Sequence, residues 1–108
     1  MDEVLELQQQ FTGAKQCEEG GTTFYFIPSL RMPLGCSPQQ TDVLLCPTQR
    51  DGYPSRLYFA VQVQGPINQN WNGKSYILGR EWYAFSWSDI QGLRLTELVL
   101  AYMRALLA

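Results

Sequence analysis

The stretch from Gly65 to Trp87, GPINQNWNGKSYILGREWYAFSW, decides how the chain is read. It opens in turn formers (Gly65, Pro66, Asn68, Asn70, Asn72 and Gly73) and closes in an aromatic block, Trp82, Tyr83, Phe85 and Trp87. A long polar loop in a small domain often carries function, because the scaffold supplies stability elsewhere. The alternative is a wide surface turn between two elements. The aromatic block supplies burial whichever holds.

Strand patterns lie on the N-terminal side of this stretch. Arg56–Val63 alternates most cleanly, with Leu57, Phe59, Val61 and Val63 against Tyr58, Ala60 and Gln62. Pro47–Pro54 holds Asp51-Gly52, a hairpin signal. Gln40–Cys46 puts Thr41, Val43 and Leu45 on one face and Leu44 and Cys46 on the other, with Cys46 as a core residue. Thr22–Ile27 sets Phe24 and Phe26 against Tyr25 and Ile27, and Pro28 ends it. Residues 14–21 read as a Glu-Glu-Gly-Gly turn, and Ser29–Pro38 as a loop. Glu81–Ser86 reads as a fourth short strand inside the deciding stretch, or as an extended segment pinned by its aromatics.

Helical patterns flank the strands. Residues 2–12 have Asp2 as N-cap, Gly13 as C-cap and Val4, Leu7 and Phe11 on one face, to pack on the sheet or dock a partner. Ser88 or Asp89 caps a second helix over Leu93–Leu107. Its stripe of Leu95, Leu98, Val99, Tyr102 and Leu106 is widened by Leu100, Met103 and Leu107, so it is either deeply buried or meets another chain. The expected architecture is one α+β domain over residues 1–108: N-terminal helix, antiparallel strand meander, long loop, C-terminal helix.

Composition narrows the function. The chain has 108 residues, 17% charged and 13% aromatic, enough for a single core without disulfides or metal. A net charge of −2 with scattered basic residues argues against a nucleic-acid partner. The absence of histidine removes Ser-His-Asp and Cys-His catalysis and every His-containing zinc site. Cys17, Cys36 and Cys46 have no CxxC spacing, and their odd number suggests reduced thiols in a cytoplasmic protein. No apolar run is long enough to span a bilayer, and no cofactor motif is present.

At Gly52-Tyr53-Pro54 leading into Arg56–Phe59, the chain resembles ubiquitin-conjugating enzymes of the UBC fold. Gly65-Pro66-Ile67-Asn68 stands where that family has His-Pro-Asn. Asn72-Gly73 matches its Asn-Gly pair, and Trp87 its later tryptophan. PLGCSPQQTDVLL, DGYPSRLYFA and GREWYAFSW resemble the divergent bacterial branch more closely. The resemblance implies a UBC-like fold with a long active-site loop. It also implies partners: a ubiquitin-like modifier, a ThiF-type activating enzyme and a JAB-type peptidase, in defence-linked (antiphage) operons.

The departures define the question. Three residues past Gly73 the family has its catalytic cysteine; here the position is Tyr76, and no cysteine follows Cys46. The candidate catalytic set is therefore Ser75, one residue from that position, with Tyr76, Lys74 and the amide donors Asn68, Asn70 and Asn72. Bases within reach in sequence are Lys74, Glu81 and Asp89. Candidate partner contacts are Val4, Leu7, Phe11, Tyr53, Pro54 and Trp71. The expected function is a conjugating-type carrier that takes the modifier from the activating enzyme, through a serine oxyester or a replaced native nucleophile. The alternative is an inactive UBC-fold variant that binds modifier or partner. An unrelated reading is a small module whose aromatic, Asn-rich loop holds carbohydrate or peptide.

Overall fold

The computed structural model describes residues 2–88 and 93–107. Its elements are α1 (Glu3–Gln10), β1 (Lys15–Glu19), β2 (Thr22–Arg31), β3 (Gln40–Cys46), β4 (Arg56–Phe59), β5 (Gly73–Ile77), β6 (Arg80–Ala84) and α2 (Leu95–Ala105). The six strands form one antiparallel sheet in the order β1-β2-β3-β4-β6-β5. The α+β class and the terminal helices are as expected from the sequence.

The largest departure lies inside the deciding stretch, where residues 73–84 form a tight hairpin, β5–β6. Ile77 pairs with Arg80, so the connection is the two residues Leu78 and Gly79, both at positive φ (53° and 80°). That is the backbone of a primed hairpin turn, which Asn-Gly signals in sequence and Leu-Gly does not. The first hairpin, β1–β2, turns the same way on Gly20 and Gly21. β1 escapes periodicity because Lys15, Gln16, Glu18 and Glu19 are all exposed; a strand polar on both faces shows no alternation.

Other boundaries shift for local reasons. β2 does not stop at Pro28 but runs to Arg31, because the register slips between Ile27 and Leu30 and absorbs the proline, which has no N–H. Ser29 takes φ 48° there, and its N–H donates to Asp42 Oδ1 at 2.8 Å. β4 ends at Phe59, short of the expected Val63. α1 has its expected N-cap, with the Val4 N–H donating to Asp2 Oδ1, but it ends at Phe11 and not at Gly13. The expected cap Asp89 lies outside the described residues. α2 begins at Leu95 with Arg94 as N-cap, and it ends before Leu107.

α1 holds the start of α2. Glu3 accepts a hydrogen bond from the Leu95 N–H at 3.0 Å, placing a carboxylate at the positive end of the helix. Glu6 takes both Arg94 Nε and an Arg94 terminal nitrogen at 3.0 Å, a two-point pair.

Both faces of the sheet are apolar. One packs under the helices: Ile27, Val43, Leu45, Leu57, Phe59 and Phe85 meet Leu7 of α1 and Leu98, Val99 and Tyr102 of α2. The other carries Phe24, Leu44, Cys46, Tyr58, Ile77, Trp82 and Ala84. The strand faces read from the sequence agree with this division, and Cys46 is fully buried. The second face is covered by the sheet itself. Three strand spacings separate β2 from β6, about 14 Å in a flat sheet. The Phe26 and Trp82 rings are nevertheless 6.3 Å apart, edge to face. At the outer edges, Glu19 Oε1 of β1 accepts from the Leu78 N–H beside β5 at 3.0 Å. The sheet is therefore curled, with Trp82 inside the curl, and the indole N–H donates to the Ile77 carbonyl at 3.0 Å.

No helix among the described residues is long and apolar enough to cross a membrane.

Trp82→Ala empties the inside of the curl and is expected to cost about 3–5 kcal/mol. Glu19→Ala, which removes only the exposed edge contact, should cost less than about 1 kcal/mol. Urea unfolding of both variants against wild type checks the ranking; equal losses would place the closure of the curl at its edges instead of in its core.

Candidate functional site

The segment between β4 and β5 is tied down along its length. The Gln64 N–H and carbonyl exchange hydrogen bonds with Ser37 at 2.8 and 2.7 Å. Gln69 Nε2 donates to the Ala105 carbonyl at the end of α2, at 2.9 Å. The Asn70 carbonyl accepts from the N–H groups of Asn72 and Ser86 at 2.9 and 2.8 Å. Trp71 packs against Phe59 and Phe85, with ring centroids 5.4 and 5.3 Å apart, so the indole pins this segment to the core.

Beyond it lies a polar cluster centred on Arg56, a residue only 3% exposed. Arg56 stands opposite Cys46 and shares its face, inside the curl. Its guanidinium stacks over the Tyr53 ring at 4.2 Å and donates to Asn72 Oδ1. Its nearest carboxylate oxygen, on Asp51, is 3.7 Å away, and its Nε has no hydrogen-bond partner among the described residues. The guanidinium needs room beside Gly73 and Ala84. A Cβ on Gly73 would lie 2.7 Å from its terminal nitrogen. The Asn72-Gly73 pair thus has a structural cause: the asparagine accepts from the buried cation, and the glycine makes space for it.

The cluster continues on both sides. Asn72 Nδ2 donates to the Tyr53 hydroxyl at 2.8 Å, and that hydroxyl lies 2.8 Å from Ser86 Oγ. These two hydrogen bonds, Ser86 first, together with the charge of Arg56 pull the Tyr53 phenol below its ordinary pKa. On the other side Arg50 Nε donates to the Tyr58 hydroxyl, which donates to Asp51 Oδ2, both at 2.9 Å. Burial, then the neighbouring Asp51, push the Tyr58 phenol up, against smaller lowering by Arg50 and Ser75. Of this cluster the sequence reading singled out Tyr53 and Asn72. The available signal for Arg56 was a lone charge in phase with Tyr58 and Ala60 on an otherwise apolar strand.

The expected catalytic residues do not converge. Alternation along β5 sends Ser75 to the face of Trp82 and Ile77, inside the curl, beside Tyr58. Lys74 and Tyr76 point the opposite way. Lys74 pairs with Glu81 at 3.5 Å, and Tyr76 is 71% exposed with its hydroxyl donating to the Gly79 carbonyl. Ser75 is therefore separated by the sheet from Lys74 and Glu81, while its neighbour Tyr58 is held protonated and cannot act as its base. Asp89, the third base read from sequence, lies outside the described residues. Asn72 is engaged as above. Asn70 contributes its carbonyl, and Asn68 lines a separate groove beside Trp71.

Among the expected partner contacts, Leu7 is fully buried in the domain core, and Val4 and Phe11 pack half-buried against the same core. Leu5 is the large apolar side chain that α1 leaves exposed. Tyr53, Pro54 and Trp71 are half-buried. Among the described residues no three His, Cys, Asp or Glu side chains gather as a metal ion requires. Cys36 and Cys46 are buried, and burial raises the Cys36 pKa; Cys17 is half-buried on the edge strand β1.

No protein-family profile, curated protein or solved structure matches this chain.

Asn72→Ala leaves Arg56 without its acceptor and is expected to cost about 1–3 kcal/mol. Asn72→Asp gives the same guanidinium a carboxylate and should unfold at higher urea than wild type. Equal midpoints for the three proteins would mean that Asn72 does not satisfy Arg56.

The raised pKa values of Cys36, Tyr58 and Tyr25 have a common consequence. Each group keeps its proton in the folded state after the unfolded chain would lose it. Their stabilisation is full below the unfolded-state pKa values and is lost as pH rises through the raised ones. The lowered Tyr53 opposes them. The urea midpoint is expected to fall as pH rises from neutral into the thiol and phenol range. In the same range a thiol reagent should label Cys17 first, reaching Cys36 and Cys46 only on unfolding. A midpoint that climbs with pH would show Tyr53 dominating.

Proposed function

We propose that this chain is a non-catalytic domain of UBC-like build that binds a ubiquitin-like modifier, or the enzyme that activates it, and orients it for another protein. The order of helix, antiparallel strands and helix supports the likeness, as do the Tyr53-Pro54, Asn72-Gly73 and Trp87 motifs. The observation that carries the non-catalytic reading is the divergence on β5. A carrier needs a nucleophile, a base and an oxyanion donor facing one reacting atom. Here Ser75 points into the curl, Lys74 and Tyr76 point out, and the Asn72 amide is spent on Arg56 and Tyr53. The proposed setting is cytoplasmic, in a bacterial pathway with a ThiF-type activating enzyme and a JAB-type peptidase.

The competing reading is a carrier that holds the modifier as an oxyester on Ser75. Incubation with modifier, activating enzyme and ATP separates the two. The binding domain gives a saturable complex and no covalent adduct by mass spectrometry. An ATP-dependent adduct cleaved by hydroxylamine, stable to thiols and lost in Ser75→Ala would establish the carrier instead. For the binding domain, Leu5→Glu on α1 and Tyr76→Ala on β5, both at exposed positions, test its surface. At least one should weaken the complex about tenfold, near 1.4 kcal/mol. Absence of any complex with either partner would end this reading.

A further inference from the structure

The sheet ends in two edge strands, β1 and β5. β5 joins β6 through the two-residue turn Leu78-Gly79, with Ile77 opposite Arg80. In such a hairpin the pair flanking the turn exchanges both main-chain hydrogen bonds, and every second residue beyond it does the same. Ile77, Ser75 and Gly73 therefore bond to β6, while the N–H and carbonyl groups of Tyr76 and Lys74 point away from it. In keeping with this, Tyr83, opposite Lys74, is the residue of β6 that pairs with Phe59 of β4. Among the described residues no hydrogen bond reaches the outward main-chain groups of Lys74 and Tyr76. The positions on either side of them are spent. The Asn72 N–H donates to the Asn70 carbonyl at 2.9 Å, and the Leu78 N–H to Glu19 Oε1 at 3.0 Å. The free edge is thus confined to Lys74–Tyr76.

An unpaired edge accepts a further strand unless something blunts it. On β1 the exposed side chains are Lys15, Gln16, Glu18 and Glu19, so pairing there buries little apolar surface. β5 has no proline and no bulge, and it carries Tyr76, 71% exposed. Its one charge, Lys74, is paired with Glu81 at 3.5 Å. The Tyr76 hydroxyl donates to the Gly79 carbonyl at 3.0 Å, which holds the ring in place before any partner arrives. The strand that fits this edge is a second β5. Antiparallel pairing about a two-fold axis at Ser75 sets Lys74 opposite the partner's Tyr76, and Tyr76 opposite the partner's Lys74. Each free N–H and carbonyl then meets one from the other copy. Moving the axis to Lys74 or to Tyr76 would call on Asn72 or Leu78, whose N–H groups are spent. In the Ser75 register each ammonium faces an aromatic ring and no like charges are opposed. The two Tyr76 rings are diagonal neighbours, within reach of each other.

We propose that two copies of this chain pair through their β5 edges in that register and join their sheets into one. Ser75 faces the partner's Ser75 at the axis, as a non-hydrogen-bonded pair. The pairing needs neither modifier nor activating enzyme, so it does not rest on the modifier-binding reading, and its test uses the chain alone.

Sedimentation velocity from about 10 µM to about 1 mM should show the mass rising from 12.4 kDa toward about twice that value. Ser75→Cys in a Cys17→Ser background reads the register. Facing residues of a non-hydrogen-bonded pair have Cα atoms about 4.5 Å apart, within disulfide reach, so mild oxidation should link this variant into a covalent dimer. Lys74→Cys and Tyr76→Cys in the same background stand diagonally from their own copies, about 7–8 Å apart, and should link roughly tenfold more slowly or not at all. Tyr76→Pro removes an N–H that bonds nothing within the chain, and should abolish the dimer while the NMR spectrum stays that of a folded protein. A wild-type chain that stays monomeric throughout overturns the proposal. Open-ended growth beyond a dimer, as β5 pairing with another copy's β1 would give, overturns it too. So does linkage of Lys74→Cys or Tyr76→Cys as fast as Ser75→Cys, or a folded Tyr76→Pro variant that still dimerises.

Discussion

A sheet with two apolar faces and helices against one of them has to bury the other face by some other means. In this chain α1 and α2 cover the face of Val43, Leu45 and Phe59. The face of Leu44, Tyr58 and Trp82 is closed by bending the sheet until Phe26 and Trp82 meet. Apolar burial of this kind stabilises by roughly 25 cal/mol per Å² removed from water, so leaving Trp82 and Phe24 exposed on a flat sheet would be costly. The other features follow from the curl. It brings Glu19 to Leu78 and turns Ser75 inward. It also places a charged residue, Arg56, at an inward position of β4, where water cannot solvate it.

Arg56 is the point of highest electrostatic cost. A buried guanidinium is tolerated when its donors are met and its charge is balanced. Here the charge is shared among the Tyr53 ring, the Asn72 carboxamide and a carboxylate at 3.7 Å. That arrangement fixes two separate segments, 51–53 and 72–73, on one cation, and the Tyr53 hydroxyl adds Ser86. It gives the Asn-Gly pair a use in the fold that needs no catalytic role. Motif and chemistry thereby come apart: the Asn72-Gly73 pair, expected from the sequence to belong to a catalytic loop, holds a buried cation in place.

Much of the architecture is legible in the sequence. The face assignments of β2, β3 and β4, the Asp2 cap and the buried stripe of α2 follow from period and propensity, because those elements bury one well-marked face. β1 and the β5–β6 hairpin do not. β1 is polar on both sides, so alternation carries no signal. β5 mixes Gly73, Lys74, Ser75 and Tyr76, and its turn uses a leucine at positive φ. The candidate site is the least legible part: in a long polar loop Ser75, Tyr76 and the three asparagines would be free to converge. A strand forbids that for neighbours, since successive side chains point to opposite faces.

The sequence by itself determined the class of the protein and its chemical limits: an α+β domain without histidine and without a cysteine beyond Cys46, since composition and short-range periodicity are local properties of the chain. Only the tertiary structure decided which polar groups are spent and which are free. Whether Asn72 meets a substrate or Arg56, and whether Asn70 and Gln69 are tied to Ser86 and Ala105, depends on residues far apart in the chain. Their approach is set by the curl of the sheet and by the ties to Ser37, Ser86 and Ala105, which no local pattern encodes.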